Sequence, residues 1–239
     1  MEETVSYAYV WFIWSLGLVS IWLAIYLRFK KGRRRMVWAS VLTMPFGLTE
    51  PLFVPEYWNP PSLFGLAQKT GFDIESLIFC FAIGGLGITL YDIIFKVEHL
   101  KMDFSEKRHR RHRFHLLTLI SPIIIFLFLH FFSSLNPIYN ATISMFVAAL
   151  AALWCRLDLK RKIWISGLIF LLFYLVYFLT LEWSAPGYVE NVWRLSAVSG
   201  IRFLQIPIEE LIFAFTFGML WSSYYEHLNW VKIKSRGIK

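Results

Sequence analysis

Seven acidic side chains in this chain of 239 residues stand in or at the ends of long apolar runs, where a charge is expensive. Glu50, Glu75, Glu182, Glu209 and Glu210 lie toward one end of their runs, and Asp92 and Glu226 toward the other. No Lys or Arg falls within the apolar part of any run, so the first five have no obvious cationic partner. An apolar surrounding favours the neutral carboxylic acid, which can donate a proton, and a nearby carboxylate can accept one. Pro207 reads as the first helical residue before Glu209 and Glu210. The helix dipole there favours the charged form by about 0.3–1 kcal/mol, less than full burial opposes it. Adjacent helical residues point about 100° apart, so one of the two faces a bundle interior better than the other.

An internal repeat ranks these acids. Shifting the chain by 134 residues lays Ile74-Glu75-Ser76-Leu77-Ile78-Phe79 on Ile208-Glu209-Glu210-Leu211-Ile212-Phe213. Phe81 then meets Phe215, Gly84 meets Gly218, Leu86 meets Leu220 and Tyr91 meets Tyr225, and Asp92 meets Glu226 conservatively. Glu209 recurs as Glu75, whereas Glu210 becomes Ser76. The expected central pair is Glu209 with Glu75; Glu210, Glu50 and Glu182 come second. Asp92 and Glu226 read as interfacial acids beside basic loops.

The elements that must carry these residues are helices. The composition is 57% hydrophobic and 17% charged, with 19% aromatic residues, against about 25% charge in a soluble domain. That excludes a soluble enzyme, a disordered chain and a disulfide scaffold. Seven runs are near the length of a membrane span: residues 5–27, 36–54, 74–95, 114–133, 138–155, 163–181 and 206–225. None alternates as a strand would. The expected fold is an all-α membrane protein of seven transmembrane helices. Its organisation is a first repeat over residues 1–113, a connecting span over 114–137 and a second repeat over 138–239. The repeats run parallel, and sites in such proteins tend to lie where repeats meet.

Lys and Arg number 21 in segments 28–35, 96–113, 156–162 and 226–239, against 3 on the other side. The positive-inside bias therefore sets the N-terminus outside and the C-terminus in the cytoplasm of a multi-pass cell-membrane protein. Met1-Glu2-Glu3-Thr4 lacks the positive region of a cleaved signal. The net charge of +8 and the run Arg108–Arg113 read as an anchor on anionic lipid headgroups, with no nucleic-acid partner. The longer outer loops cover about 55–73 and 182–205. Tyr57 and Trp58 suit the headgroup level, in a loop that is either interfacial or a lid over an opening.

Several chemistries are excluded. The last run has no lysine for a retinal Schiff base. Of six histidines, His109, His112 and His115 cluster beside the basic loop, and Cys80 and Cys155 sit in apolar runs as packing residues. No metal site, P-loop or dinucleotide fingerprint is expected, and no cofactor. Gly84, Gly85, Gly87 and Gly218 read as close helix packing. Acids at a repeat interface leave an ion-coupled channel or transporter open.

Pro207-Ile208-Glu209-Glu210 before an aromatic span resembles the Pro-x-Glu-Glu/Asp motif of the membrane-integral lycopene cyclases. Pro45-Phe46-Gly47-Leu48-Thr49-Glu50-Pro51, Pro55-Glu56-Tyr57-Trp58 and Gly84-Gly85 before Tyr91-Asp92 extend the similarity over nearly the whole chain, as a fused two-repeat form. The first repeat departs from the motif: Asp73-Ile74-Glu75-Ser76 lacks the proline and the second acid. The resemblance implies a cyclase acting on a carotenoid dissolved in lipid, with no cofactor. An acid protonates the terminal double bond of a ψ-end, the carbocation closes a ring, and a base removes a proton to set the β double bond. Phe79, Phe213, Phe215, Trp221 and Tyr224 are available to bind substrate and steady the cation through their ring faces. A cyclase of C50 carotenoids, a non-catalytic carotenoid or lipid binder and an ion-coupled transporter are the alternatives. Ring type, one or two cyclised ends and oligomeric state are open.

Overall fold

Backbone amides in an apolar medium need partners within their own segment, and runs of Leu, Ile and Phe with few breakers supply them as helices. The computed structural model describes residues 7–235. Met1-Glu2-Glu3-Thr4 and the basic tail residues Arg236 and Lys239 lie outside the described residues. The helices that matter for the site are α1 (Val10–Arg28), α2 (Arg33–Thr43), α3 (Ile74–Ile94), α4 (His115–Phe132), α5 (Pro137–Cys155), α6 (Lys160–Ser184) and α7 (Ile208–Leu228). Their ends follow local chemistry. Arg33 donates from Nε to the Tyr26 carbonyl at 2.7 Å and from a terminal nitrogen to the Leu27 carbonyl at 2.8 Å, closing the C-terminus of α1. Asn136 accepts from the Ile138 amide at 3.1 Å, with Pro137 opening α5.

Five segments among the described residues are long and apolar enough to cross a membrane: Val10–Arg28, Ile74–Ile94, Arg110–Phe132, Pro137–Cys155 and Leu157–Ser184. The chain is thus nearly all-α and membrane-associated. The expected run 36–54 is not one α-helix. α2 stops at Thr43, and Met44–Leu52 continues as a 3-10 helix that holds Pro45 and Pro51, whose missing amides cannot serve an α-helical ladder. α7 has 21 residues, about 31 Å, but Glu209, Glu210, Ser222 and Ser223 dilute its apolar character. No strand is expected from the apolar runs, and the structure adds short ones outside the helices. β1 (Val97–Lys101) pairs antiparallel with β4 (Val231–Ser235), and β2 (Arg202–Phe203) with β3 (Ile206–Pro207). β2 and β3 have two residues each, too few for alternation to show.

The chain divides into two compact units, one of the chain up to Leu86 with Tyr174–Leu211, the other of Gly87–Phe173 with the chain from Ile212 onward. In the first, α3 approaches α1 and α2 through glycines. A Cβ on Gly84 would overlap Thr43, and one on Gly85 would overlap Trp22 and Ser40. Trp22 Nε1 donates to Ser40 Oγ at 2.9 Å in the same contact. In the second, a Cβ on Gly218 of α7 would lie 2.6 Å from Phe170 Cβ and 2.7 Å from the Ser166 carbonyl of α6. Ala148, Ala149 and Ala152 of α5 form a core there with Leu159, Ile163, Met219 and Leu220. The glycines therefore serve helix packing, as their sequence setting implies.

Candidate active site

Four of the five expected acids are buried in the first unit. Glu75 is fully covered, Glu209 is 2% exposed, Glu210 5% and Glu50 7%. Glu75, in the first turn of α3, accepts from the Leu63 amide at 2.7 Å through Oε1, and its Oε2 is buried with no hydrogen bond. Glu209, its repeat counterpart in α7, accepts from the Ser199 amide at 3.0 Å. Each of the pair thus holds the loop that precedes its own helix.

Glu210 has the richest set of donors. Tyr57 donates to its Oε1 at 2.7 Å, Trp193 Nε1 to the same oxygen at 2.8 Å, and Tyr174 to its Oε2 at 2.9 Å. All three donors are neutral, and as a carboxylate Glu210 accepts from every one of them. The two outer loops meet to bring the first two together. Trp58 and Trp193 form an antiparallel bridge, with the Asn59 amide on the Val192 carbonyl at 2.9 Å and the Arg194 amide on the Tyr57 carbonyl at 2.8 Å. Tyr57 and Trp58 are therefore buried inside the protein beside an acid. Burial pushes the Tyr57 hydroxyl well above its ordinary range, and the Glu210 charge adds to this, so Tyr57 stays a donor.

Around these groups stands a wall of rings. Trp58 lies 4.8 Å from Trp11 and 5.2 Å from Trp193, and Phe178 lies 4.9 Å from Tyr174 and 5.5 Å from Trp193. Phe79, one turn beyond Glu75, sits 5.0 Å from Trp11 and 6.3 Å from Tyr174. A groove of about 290 Å³ lined by Pro55, Trp58, Asn59 and Trp193 opens beside them.

Glu50 lies close enough to Asp73 and Glu75 to feel their charge. Gly47 makes this possible, because a Cβ there would stand 2.7 Å from the Leu77 amide nitrogen in the first turn of α3. Asp73 accepts from the Ser76 amide as the cap of α3, the place Pro207 takes ahead of α7. Burial raises the Asp73 carboxyl to about 6; the Ser76 amide pulls against that, and Glu75 adds to it. The first repeat therefore keeps two acids, Asp73 and Glu75, although its motif lacks the second glutamate. Glu182 differs from the rest. It is half-buried and accepts from the Gly187 amide at 2.6 Å and the Val189 amide at 3.2 Å, a fastening of the loop after α6.

The other expected aromatic residues fall in the second unit. Phe213, Phe217, Trp221 and Tyr224 stack in sequence along α7 at 6.0, 5.8 and 5.0 Å, and Phe215 lies 6.2 Å from Trp164. Tyr224 donates to the Leu119 carbonyl.

The second unit also holds a buried cluster around Asp92 and Glu226, which are not the interfacial acids expected from the sequence. Lys162 is fully buried and donates to Asp92 at 2.9 Å and Glu226 at 2.6 Å, while His99 Nε2 lies 2.7 Å from Glu226. α6 begins before the expected start of its span, which takes Lys162 into the protein. The repeat relation of Asp92 to Glu226 was the available signal. Asp92, His99 and Glu226 offer metal-type donors within 4.8 Å of one another, but the ammonium of Lys162 already supplies the cation.

No curated protein and no solved structure matches the chain. The family model described as lycopene cyclase matches residues 136–228, from the cap of α5 to the end of α7 and including Tyr174, Trp193, Glu209 and Glu210. Over that stretch the chain is similar to the lycopene cyclase family.

Proposed function

We propose that the protein is a membrane carotenoid cyclase that converts ψ-ends of lycopene to β-rings by proton transfer, without net redox change. The family-model match over residues 136–228 supports carotenoid cyclisation as the activity. The observation that carries the finer reading is Glu210, buried and held by Tyr57, Trp193 and Tyr174 inside a shell of aromatic rings. In its carboxylate form, held by neutral donors, Glu210 would offset the charge of a carbocation formed beside it and could take up the proton that leaves. Ring faces of Phe79, Tyr174, Phe178 and Trp193 would add to cation stabilisation. Glu75 and Glu209 are the proton donors in this reading. Glu75 suits the task best, because its Oε1 is engaged by an amide while its buried Oε2 is open to carry the acid proton.

The step balances: one proton goes to the terminal double bond, the ring carbon–carbon bond forms, and one proton leaves the new ring to a carboxylate. Water must stay out, or the cation would be hydrated, and the buried aromatic surround supports that. The groove of about 290 Å³ suits one end group better than a whole polyene. The chain would cross the cell membrane seven times, with 55–73 and 182–205 outside, and α7 and the segment 36–54 as the two less regular crossings.

Co-expression in a host that accumulates lycopene tests this. Monocyclic or bicyclic product is expected. Unchanged pigment with carotenoid co-purifying would support a binder instead, and counter-ion-dependent flux in vesicles would support transport.

A further inference from the structure

We propose that His112, His115 and Cys155 form a binding site for a zinc-class divalent metal in the second unit, independent of the acids assigned above. The short 3-10 turn Arg110–Phe114 runs into α4, so His112 and His115, three residues apart, share one side. Cys155 is the last residue of α5, whose chain runs beside α4. Cys155 Sγ lies 3.3 Å from His112 Nδ1 and 3.5 Å from His115 Nδ1, and the three donor atoms fall within 4.8 Å of one another. A tetrahedral zinc with Zn–S of about 2.3 Å and Zn–N of about 2.0–2.1 Å requires a sulfur-to-nitrogen edge of about 3.5 Å. The donors already stand at that separation.

The second layer points the same way. His115 Nε2 lies 3.1 Å from the His227 carbonyl oxygen, so that nitrogen carries the proton and Nδ1 turns a lone pair toward Cys155. His115 is further clamped between His227, with ring centroids 5.4 Å apart, and Trp230 at 4.0 Å. A metal here would need an entry path and a fourth ligand. A groove of about 280 Å³ containing His112, Cys155, Asp158, Glu106 and His109 supplies both, with water or His109 as the fourth donor. The nearby guanidinium of Arg156 is balanced by Asp158, bonded at 2.8 and 2.7 Å, and by the Glu226 and Val231 carbonyls. On binding, the Cys155 thiol gives its proton to solvent and three ligand bonds form. The product is a fastening between the start of α4 and the end of α5.

The test is a cobalt(II) titration of the full-length protein in detergent after chelator treatment, with cobalt as a spectroscopic stand-in for zinc. One equivalent should produce a near-ultraviolet thiolate-to-cobalt band with the visible bands of a four-coordinate ion, and zinc should displace it. Cys155→Ser should abolish the charge-transfer band while Cys80→Ser keeps it. Removal of a ligand should cost no less than the loss of an outer-layer partner, so His112→Ala and His115→Ala should each weaken binding at least ~10-fold. Absence of the band in the wild-type protein at one equivalent overturns the site and leaves a hydrogen-bonded thiol–imidazole chain. So does an unchanged band in Cys155→Ser. The wild-type titration decides even where a variant fails to fold.

Discussion

Glutamine at position 210 would keep the shape of the side chain but replace one acceptor oxygen with a donor. Tyr57, Tyr174 and Trp193 would then face a single oxygen and an NH2 group, and at least one buried donor would lose its partner. Glu210→Gln should lower cyclised product by about 10²–10⁴-fold, the usual range for a lost proton-transfer group, while the protein still inserts. Tyr57→Phe should reduce product less, because two donors stay in place. Pigment analysis of the co-expression host reads both; wild-type product from Glu210→Gln removes it from the mechanism. The Pro-Ile-Glu-Glu stretch made this neighbourhood legible in the sequence. The repeat favoured Glu209, yet the donors that single out Glu210 come from positions 57, 174 and 193, and only folding brings them together. The backbone partners of Glu182 were hidden for a related reason, since they lie just beyond its own helix and carry no side-chain signature.

At the scale of elements, helix ends and buried ion pairs decide what is held in place. Asp73 caps α3, and its carboxyl sits near 6 against an ordinary 3.8. An acid raised on folding favours the native state while it is protonated. Its contribution is fully present below about pH 4, declines as pH rises, and is gone above about 6. The shift of about two units corresponds to roughly 2–3 kcal/mol. Asparagine also caps well, so Asp73→Asn should fold and should flatten the pH 4–6 slope of thermal stability in detergent. A slope equal to the wild type would assign it to other groups. In the second unit, Lys162 links α3 and α7 through Asp92 and Glu226. Lys162→Met leaves two buried acids without their cation and should cost about 3–5 kcal/mol. Adding Asp92→Asn and Glu226→Gln should return most of that loss, because the uncompensated charges go with the lysine. A triple variant as unstable as the single one would contradict the ion-pair account. The helices themselves were readable from apolar length. The break at Thr43 was signalled by Pro45 and Pro51 but hidden by the apolar residues around them, and Lys162 was hidden by its basic neighbours Lys160 and Arg161.

Orientation belongs to the whole chain, because it depends on where 24 basic residues fall relative to every span. The segments 28–35, 96–113, 156–162 and 226–239 hold 21 of them, and each follows or precedes an apolar helix at the same end. In the structure several of these cations are engaged locally: Arg33 closes α1, Arg156 holds Asp158, and Lys232 lies 2.7 Å from Glu106. Local engagement leaves the bias intact, since the surface potential acts on the loop's charge before any of these contacts form. The acids at 50, 75, 209 and 210 would then lie on the outer side and the Lys162 cluster on the cytoplasmic side. Single cysteines in place of Lys69 and Lys107, in a background with Cys80→Ala and Cys155→Ala, test the arrangement. A membrane-impermeant maleimide applied to intact cells should label position 69 and spare position 107 until the membrane is opened. Labelling of 107 alone would invert the molecule, moving the proposed proton chemistry to the cytoplasmic side while leaving its internal geometry unchanged.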